Sequence, residues 1–236
     1  MATGFEEFRL GRQFGLSADQ VELCDHASDY FEATLHPLQQ RMDDEEWWPA
    51  ETFRAVAAMG YLGTTIPPDY GGQGLDYLSS GLICEVMAYW NPAFAFSWLN
   101  ADNLVMDNLY RNGSEEQRRR FLPRLCTGEL VGALGMTEPG AGSDALGSMK
   151  TSARRDGDAY VVSGTKLFIT NGPIADLVLV YARTDPAMGR SKGISALIVE
   201  KEFDGFRVAQ KLDKMGFRGS PTGELVFEDC RVPAAN

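Results

Sequence analysis

The sequence predicts an α+β protein: an all-helical first half followed by a β half that closes as an antiparallel barrel or sandwich. Three observations carry that prediction. Before residue 128, apolar residues recur at three- and four-residue steps, and two capping boxes punctuate them, Ser17 with Gln20 and Ser114 with Gln117. After Gly128, short β-branched or aromatic runs are separated by Gly, Asp or Asn. The change falls near Gly128–Val131, which divides the chain into 1–129 and 130–236.

The elements follow in order. After the Ser17 box, Val21, Cys24, Ala27, Phe31 and Leu35 stripe a first helix that Pro37 ends or bends. Asp43 to Glu46, then Trp47, Trp48 and Pro49, read as a link into a second helix that buries Phe53, Val56 and Ala57 and stops at Gly60. Pro67 to Gly74 is an irregular loop; its glycines lack the strand-then-helix context of a dinucleotide fingerprint. Leu82, Val86 and Trp90 mark a third helix, closed by Asn91-Pro92. Phe94, Trp98, Ala101, Val105 and Leu109 mark a fourth, ending at Asn112-Gly113. The predicted strands are Tyr160–Val162, Lys166–Thr170, Leu177–Ala182, Ile194–Glu200, Phe206–Lys211 and Leu225–Val232.

Composition narrows the function. A chain of 236 residues with 44% apolar content can bury a substantial core. No apolar run approaches the length of a membrane span, and the acid-containing start resembles neither a secretory signal nor a transit peptide, so the expected compartment is the cytoplasm. A formal net charge of −11 argues against nucleic-acid or anionic-membrane binding. The basic run Arg118-Arg119-Arg120 with Arg124 reads as a solvated helix face. Cys24, Cys84, Cys126 and Cys230 are scattered, which favours reduced thiols, and His26 and His36 form no metal or triad constellation.

The chemistry-bearing stretches are Met136-Thr137-Glu138-Pro139-Gly140-Ala141-Gly142-Ser143-Asp144 and Lys166-Leu167-Phe168-Ile169-Thr170-Asn171-Gly172. The first is a turn-rich loop able to aim backbone N–H groups, with the Thr137 and Ser143 hydroxyls, at an anion. The second ends a strand with an aromatic face beside a hydroxyl, a combination that suits a planar heterocycle. The same residues also read as two ordinary turns flanking strands. Glu138 and Asp144 suggest acid–base roles, but Asp caps helices and bonds its own backbone, so turn-stabilising roles are the favoured reading.

T-E-P-G-A-G-S-D followed by F-I-T-N-G resembles the flavin-binding signature of the acyl-CoA dehydrogenase family. F-G-L-S-A-D-Q, P-P-D-Y-G-G-Q-G-L and K-M-G-F-R-G-S-P-T extend the likeness over nearly the whole chain. L-D-K-M-G-F-R-G-S with F-E-D-C-R-V-P-A-A-N is particularly similar to the isovaleryl-CoA branch. The resemblance implies an N-terminal helical domain, a middle β domain and an oxidoreductase. It would take a short or branched acyl-CoA to the trans-2-enoyl-CoA, with the hydride passing to FAD and on to an electron-transfer flavoprotein. It further implies a homo-oligomer, a tetramer in the family. Carried over by position, Leu134, Met136, Thr137, Gly142 and Ser143 run along the cofactor. Phe168, Ile169 and Thr170 lie against its ring, and Ser143 and Ser191 meet the substrate. Phe94 to Leu99 would line an acyl pocket or pack as ordinary core, while Arg218, Ser220 and Thr222 are assigned to holding the β domain together.

The likeness has two departures. Phe168 stands where many members have Trp, keeping a stacking face but losing the indole N–H. The family also continues past the V-P motif into a helical bundle that supplies the catalytic glutamate. This chain stops at Asn236, so the bundle is expected to be absent and no catalytic residue is nominated. That leaves open a fragment, a second half from another chain, or a non-catalytic acyl-CoA or protein-binding module. Acyl-carrier-protein dehydrogenase and flavin monooxygenase chemistries on the same scaffold also remain.

Overall fold

The structure, a computed structural model, describes residues 15–189 and 192–236. Helix α1, Ala18–Thr34, starts at the expected capping box, with Ser17 and Gln20 bonding each other's backbone N–H groups. A single 3₁₀ turn over His36–Leu38 carries Pro37 and redirects the chain into α2, Gln39–Asp44. Helix α3, Ala50–Ala58, buries Phe53, Val56 and Ala57 as its spacing requires. Helix α4, Tyr77–Trp90, leads into α5, Pro92–Leu99. Asn91 does more than close α4. Its Oδ1 accepts the Phe94 N–H at 3.0 Å as the cap of α5, and its Nδ2 donates to the Leu35 carbonyl at 3.0 Å.

The fourth predicted helix is continuous in direction but changes its winding. Asn100–Asp107 is a π-helical segment between α5 and α6, Asn108–Asn112. The segment carries Asp102, whose buried carboxylate accepts the N–H groups of Gly63 and Thr64 at 2.6 and 3.1 Å and the Thr64 hydroxyl at 2.5 Å. Helix α7, Glu115–Cys126, opens with the Ser114–Gln117 capping box. Its arginines are taken up at the surface by Glu115, Glu200 and Glu129.

Among the described residues seven strands follow: β1 Gly132–Gly135, β2 Ser152–Asp156, β3 Ala159–Thr170, β4 Leu177–Arg183, β5 Ile194–Glu200, β6 Phe206–Lys211 and β7 Thr222–Pro233. A short helix α8, Ala145–Ser148, lies between β1 and β2. The sheet order is β1-β4-β2-β3-β7-β6, with β5 paired to β4. Most pairs are antiparallel, while β1 and β2 each run parallel to β4, so the curled sheet is mixed. The two runs expected around Tyr160 and Lys166 are one strand, β3, whose register against β7 shifts at two places. β1 and β2 were not among the expected strands. The first is a four-residue stretch with two glycines and the second is S-A-R-R-D, so neither carries the β-branched pattern.

Burial explains the layering. β4 is covered on both faces: Leu177 and Leu179 join the helical core around Phe31, Phe53, Phe94 and Trp98, whereas Val178, Val180 and Ala182 join the core inside the sheet. Each of these Leu and Val side chains contributes roughly 2 kcal/mol on leaving water, so neither face can be stripped cheaply.

Candidate functional site

The two motif stretches meet behind a corner built by residues 136–144. The backbone of Glu138 exchanges both hydrogen bonds with Ala141, at 3.0 and 3.1 Å, closing the T-E-P-G-A turn. The Thr137 carbonyl accepts the Leu167 N–H at 2.9 Å, docking the corner on β3. A Cβ added at Gly140 or Gly142 would meet nothing within 4 Å, so both glycines leave open space beside the corner. Gly142 and Ser143 lie on its exposed side, and Thr137 is half-buried. Leu134 and Met136 line a neighbouring cleft with Leu104, Asn108 and Tyr181.

At the end of β3 the backbone turns out of register between Lys166 and Ile169. Phe168 adopts φ 61°, a left-handed conformation that costs an aromatic residue about 1–2 kcal/mol, and the residue is 64% exposed. An apolar ring held out of the core at a conformational cost is a presented surface. Ile169 turns inward and is buried within the sheet. Thr170 is buried, opposite Thr222 on β7. Ser191 lies outside the described residues.

The two acids of the corner are engaged. Glu138 is buried and accepts the N–H groups of Lys150 and Thr151 at 2.7 and 2.9 Å and the Lys166 ammonium at 2.9 Å. Burial opposes its ionisation, but the hydrogen bonds from Thr151, Lys150 and Lys166 outweigh it and hold its carboxyl below the usual glutamate range. Asp144 accepts the Ser148 hydroxyl at 2.7 Å at the start of α8. Lys166 is 0% exposed, and burial pulls its ammonium below the usual lysine range against the pull of Glu138. Sequence reasoning missed this pair. The available signal was one acid in the first motif and one base in the second, where a strand reading alone predicts no reason for a lysine.

The expected acyl-lining stretch divides. Phe94, Ala95, Ser97 and Trp98 are core, whereas Phe96 is exposed and meets the Phe217 ring edge-on at 5.8 Å. Arg218 and Ser220 reach beyond the β half. Arg218 donates to the Asp43 carbonyl and pairs with Glu46, and the Ser220 hydroxyl meets that of Ser97 at 2.7 Å. They join the two halves of the chain. Among the described residues no group of His, Cys, Asp and Glu could hold a metal ion, and no helix is long and apolar enough to cross a membrane.

Fold and site together define an α+β scaffold with an exposed aromatic residue, Phe168, at the end of β3 and an open, glycine-bearing corner docked on the same strand. Residues 17–129 match the acyl-CoA dehydrogenase N-terminal domain and residues 133–230 match the acyl-CoA dehydrogenase middle domain. The chain belongs to the acyl-CoA dehydrogenase family. It is 44% identical over 225 residues to the mitochondrial isovaleryl-CoA dehydrogenase of Pongo abelii, covering 94% of this chain and 53% of that protein. A solved structure from work on the electron transferring flavoprotein of Acidaminococcus fermentans matches with TM-score 0.90 and 39% identity, over 94% of this chain and 58% of that one. Glutaryl-CoA dehydrogenase of Mycobacterium smegmatis in complex with FADH2 matches with TM-score 0.88 and 33% identity, over 98% of this chain and 57% of that one. The chain thus spans about half the length of the curated relatives it matches. Members of the family are FAD-binding flavoproteins and oxidoreductases.

Proposed function

We propose that this chain is the cofactor- and substrate-holding part of an FAD-dependent acyl-CoA dehydrogenase acting on a short or branched acyl thioester of the isovaleryl type. The observation that supports this reading most is the exposed Phe168 ring, held in a strained conformation next to the corner that Thr137 and the glycines form. In this reading Leu134, Met136, Thr137, Gly142, Ser143, Phe168, Ile169 and Thr170 hold FAD, with Phe168 as the stacking face and Ile169 contributing backbone. Ser143 and Ser191 contact the acyl-CoA. When bound, FAD supplies a hydride acceptor. The chain's own residues orient it, keep water from one face and fix the thioester's approach. Glu138 and Asp144 are both hydrogen-bonded within the corner, so neither is assigned the role of α-proton base. Electrons leave to an electron-transfer flavoprotein, and the chain works within a homo-oligomer.

Titrating the protein with FAD while following quenching of flavin fluorescence tests the reading. Saturable one-to-one binding supports it; no binding overturns it. Bleaching under anaerobic conditions by isovaleryl-CoA in preference to octanoyl-CoA supports the substrate class, in protein that carries the base. The engagement of both corner acids also favours a second reading, a non-catalytic acyl-CoA-binding module, which predicts CoA-ester binding without flavin.

A further inference from the structure

Lys166 and Glu138 lie behind the corner and touch both motif stretches at once. The Lys166 ammonium donates to Glu138 Oε1 at 2.9 Å and to the Met136 carbonyl at 3.1 Å. Glu138 in turn holds the N–H groups of Lys150 and Thr151. With the Leu167 N–H on the Thr137 carbonyl, the peptide units on both sides of Thr137 are pinned. Two residues beyond Lys166, the chain leaves register to present Phe168.

We infer that Glu138 and Lys166 are positioning residues for the flavin, setting Thr137 against the Phe168 edge while keeping the protein behind the ring electrically neutral. The inference rests on the flavin reading above. A buried pair of this kind is poor evidence for stability by itself, since apolar replacements of similar volume are often neutral or stabilising. What the pair supplies here is geometry, two charged ends each fastened to a different segment, and a balanced charge beside a group whose own charge changes on reduction. Removing Glu138's charge leaves an ammonium that favours the reduced, anionic flavin; removing Lys166's leaves a carboxylate that disfavours it.

The test uses the FAD-loaded protein and three variants, Glu138→Gln, Lys166→Met and the double variant, with midpoint potential by dye-coupled reduction and FAD affinity by fluorescence as readouts. The expected results are a raised potential for E138Q, a lowered one for K166M, and a double variant returned close to the parent. Each single variant should bind FAD about tenfold more weakly. Where one single variant fails to fold, comparing the other with the double variant gives the same sign. Shifts of equal sign, or no shift, would overturn the inference while leaving flavin binding intact. A parent protein that takes up no FAD would overturn the underlying reading instead. A merely structural pair would lower melting temperature without splitting the potentials.

Discussion

The side-chain amide of Asn171 donates to the carbonyl of Ser97 at 2.9 Å, fastening the end of β3 to helix α5. Asn171 itself sits at φ 63°, and its backbone N–H donates to the Pro221 carbonyl at 2.7 Å. Asn171→Ala removes the tie and puts a Cβ without a compensating amide in the left-handed region. The expected loss is about 2–3 kcal/mol in urea unfolding, whereas Asn171→Gly, free of the conformational term, should lose about 1 kcal/mol. Equal losses would show that backbone conformation is not part of the residue's role.

The loop of Pro67 to Gly74 is folded on itself, and Gly72 is the residue that permits it. A Cβ there would lie 2.1 Å from the Ile66 carbonyl oxygen and 2.5 Å from that of Gly63. Gly72→Ala is expected to cost about 3 kcal/mol while leaving the FAD affinity of the folded protein unchanged. A loss of flavin binding at unaltered stability would instead make this loop part of the cofactor site.

Phe168 separates stability from binding. Its ring is exposed, so truncation gives up little burial, and glycine relieves the left-handed strain at an entropic cost of similar size. Phe168→Gly should therefore leave the melting temperature of the cofactor-free protein within a few degrees of the parent, yet weaken FAD binding at least about tenfold. Scanning fluorimetry and flavin titration on the same preparation check both halves of the expectation.

Asp102 gives the chain a pH signature. Burial pushes its carboxyl up from 3.8 to about 6, outweighing the hydrogen bonds from Thr64 and Gly63. The folded chain then holds this proton in a window where the unfolded chain has released it. The stabilisation is fully present below about pH 4 and is lost as pH rises to about 6, a change on the order of 3 kcal/mol. Asp102→Asn, compared with the parent by unfolding at pH 4.5 and pH 7, should remove that slope. An unchanged difference between the two pH values would assign the slope elsewhere.

Much of this architecture is legible in the sequence, because local chemistry decides it. Ser17, Gln20, Ser114 and Gln117 place two helix starts within their own four residues, and the apolar spacing of Phe53, Val56 and Ala57 names the face they bury. The illegible parts depend on partners far along the chain. β1 becomes a strand because it lies beside β4, not because G-A-L-G favours one. The bulge that turns Phe168 outward arises from the register between β3 and β7, which a period-two reading of K-L-F-I-T does not contain. Arg218 reads as a β-half residue until Asp43 and Glu46 are seen next to it. Of the candidate site, the turn at Glu138–Ala141 was legible in its own Pro and Gly, whereas the Glu138–Lys166 pair spans 28 residues of separation and was not.

Strand β4 has a different set of neighbours on each face, and that shapes how the scaffold can diversify. A chimaera taking its helices from one relative and its sheet from another would splice two cores along a single seven-residue strand. Residues on the helical side of that seam, Leu177 and Leu179, must travel with the helices, and Val178 and Val180 with the sheet. Recombination across this scaffold is therefore constrained to an interleaved swap, residue by alternate residue, rather than a clean cut between helical and β segments.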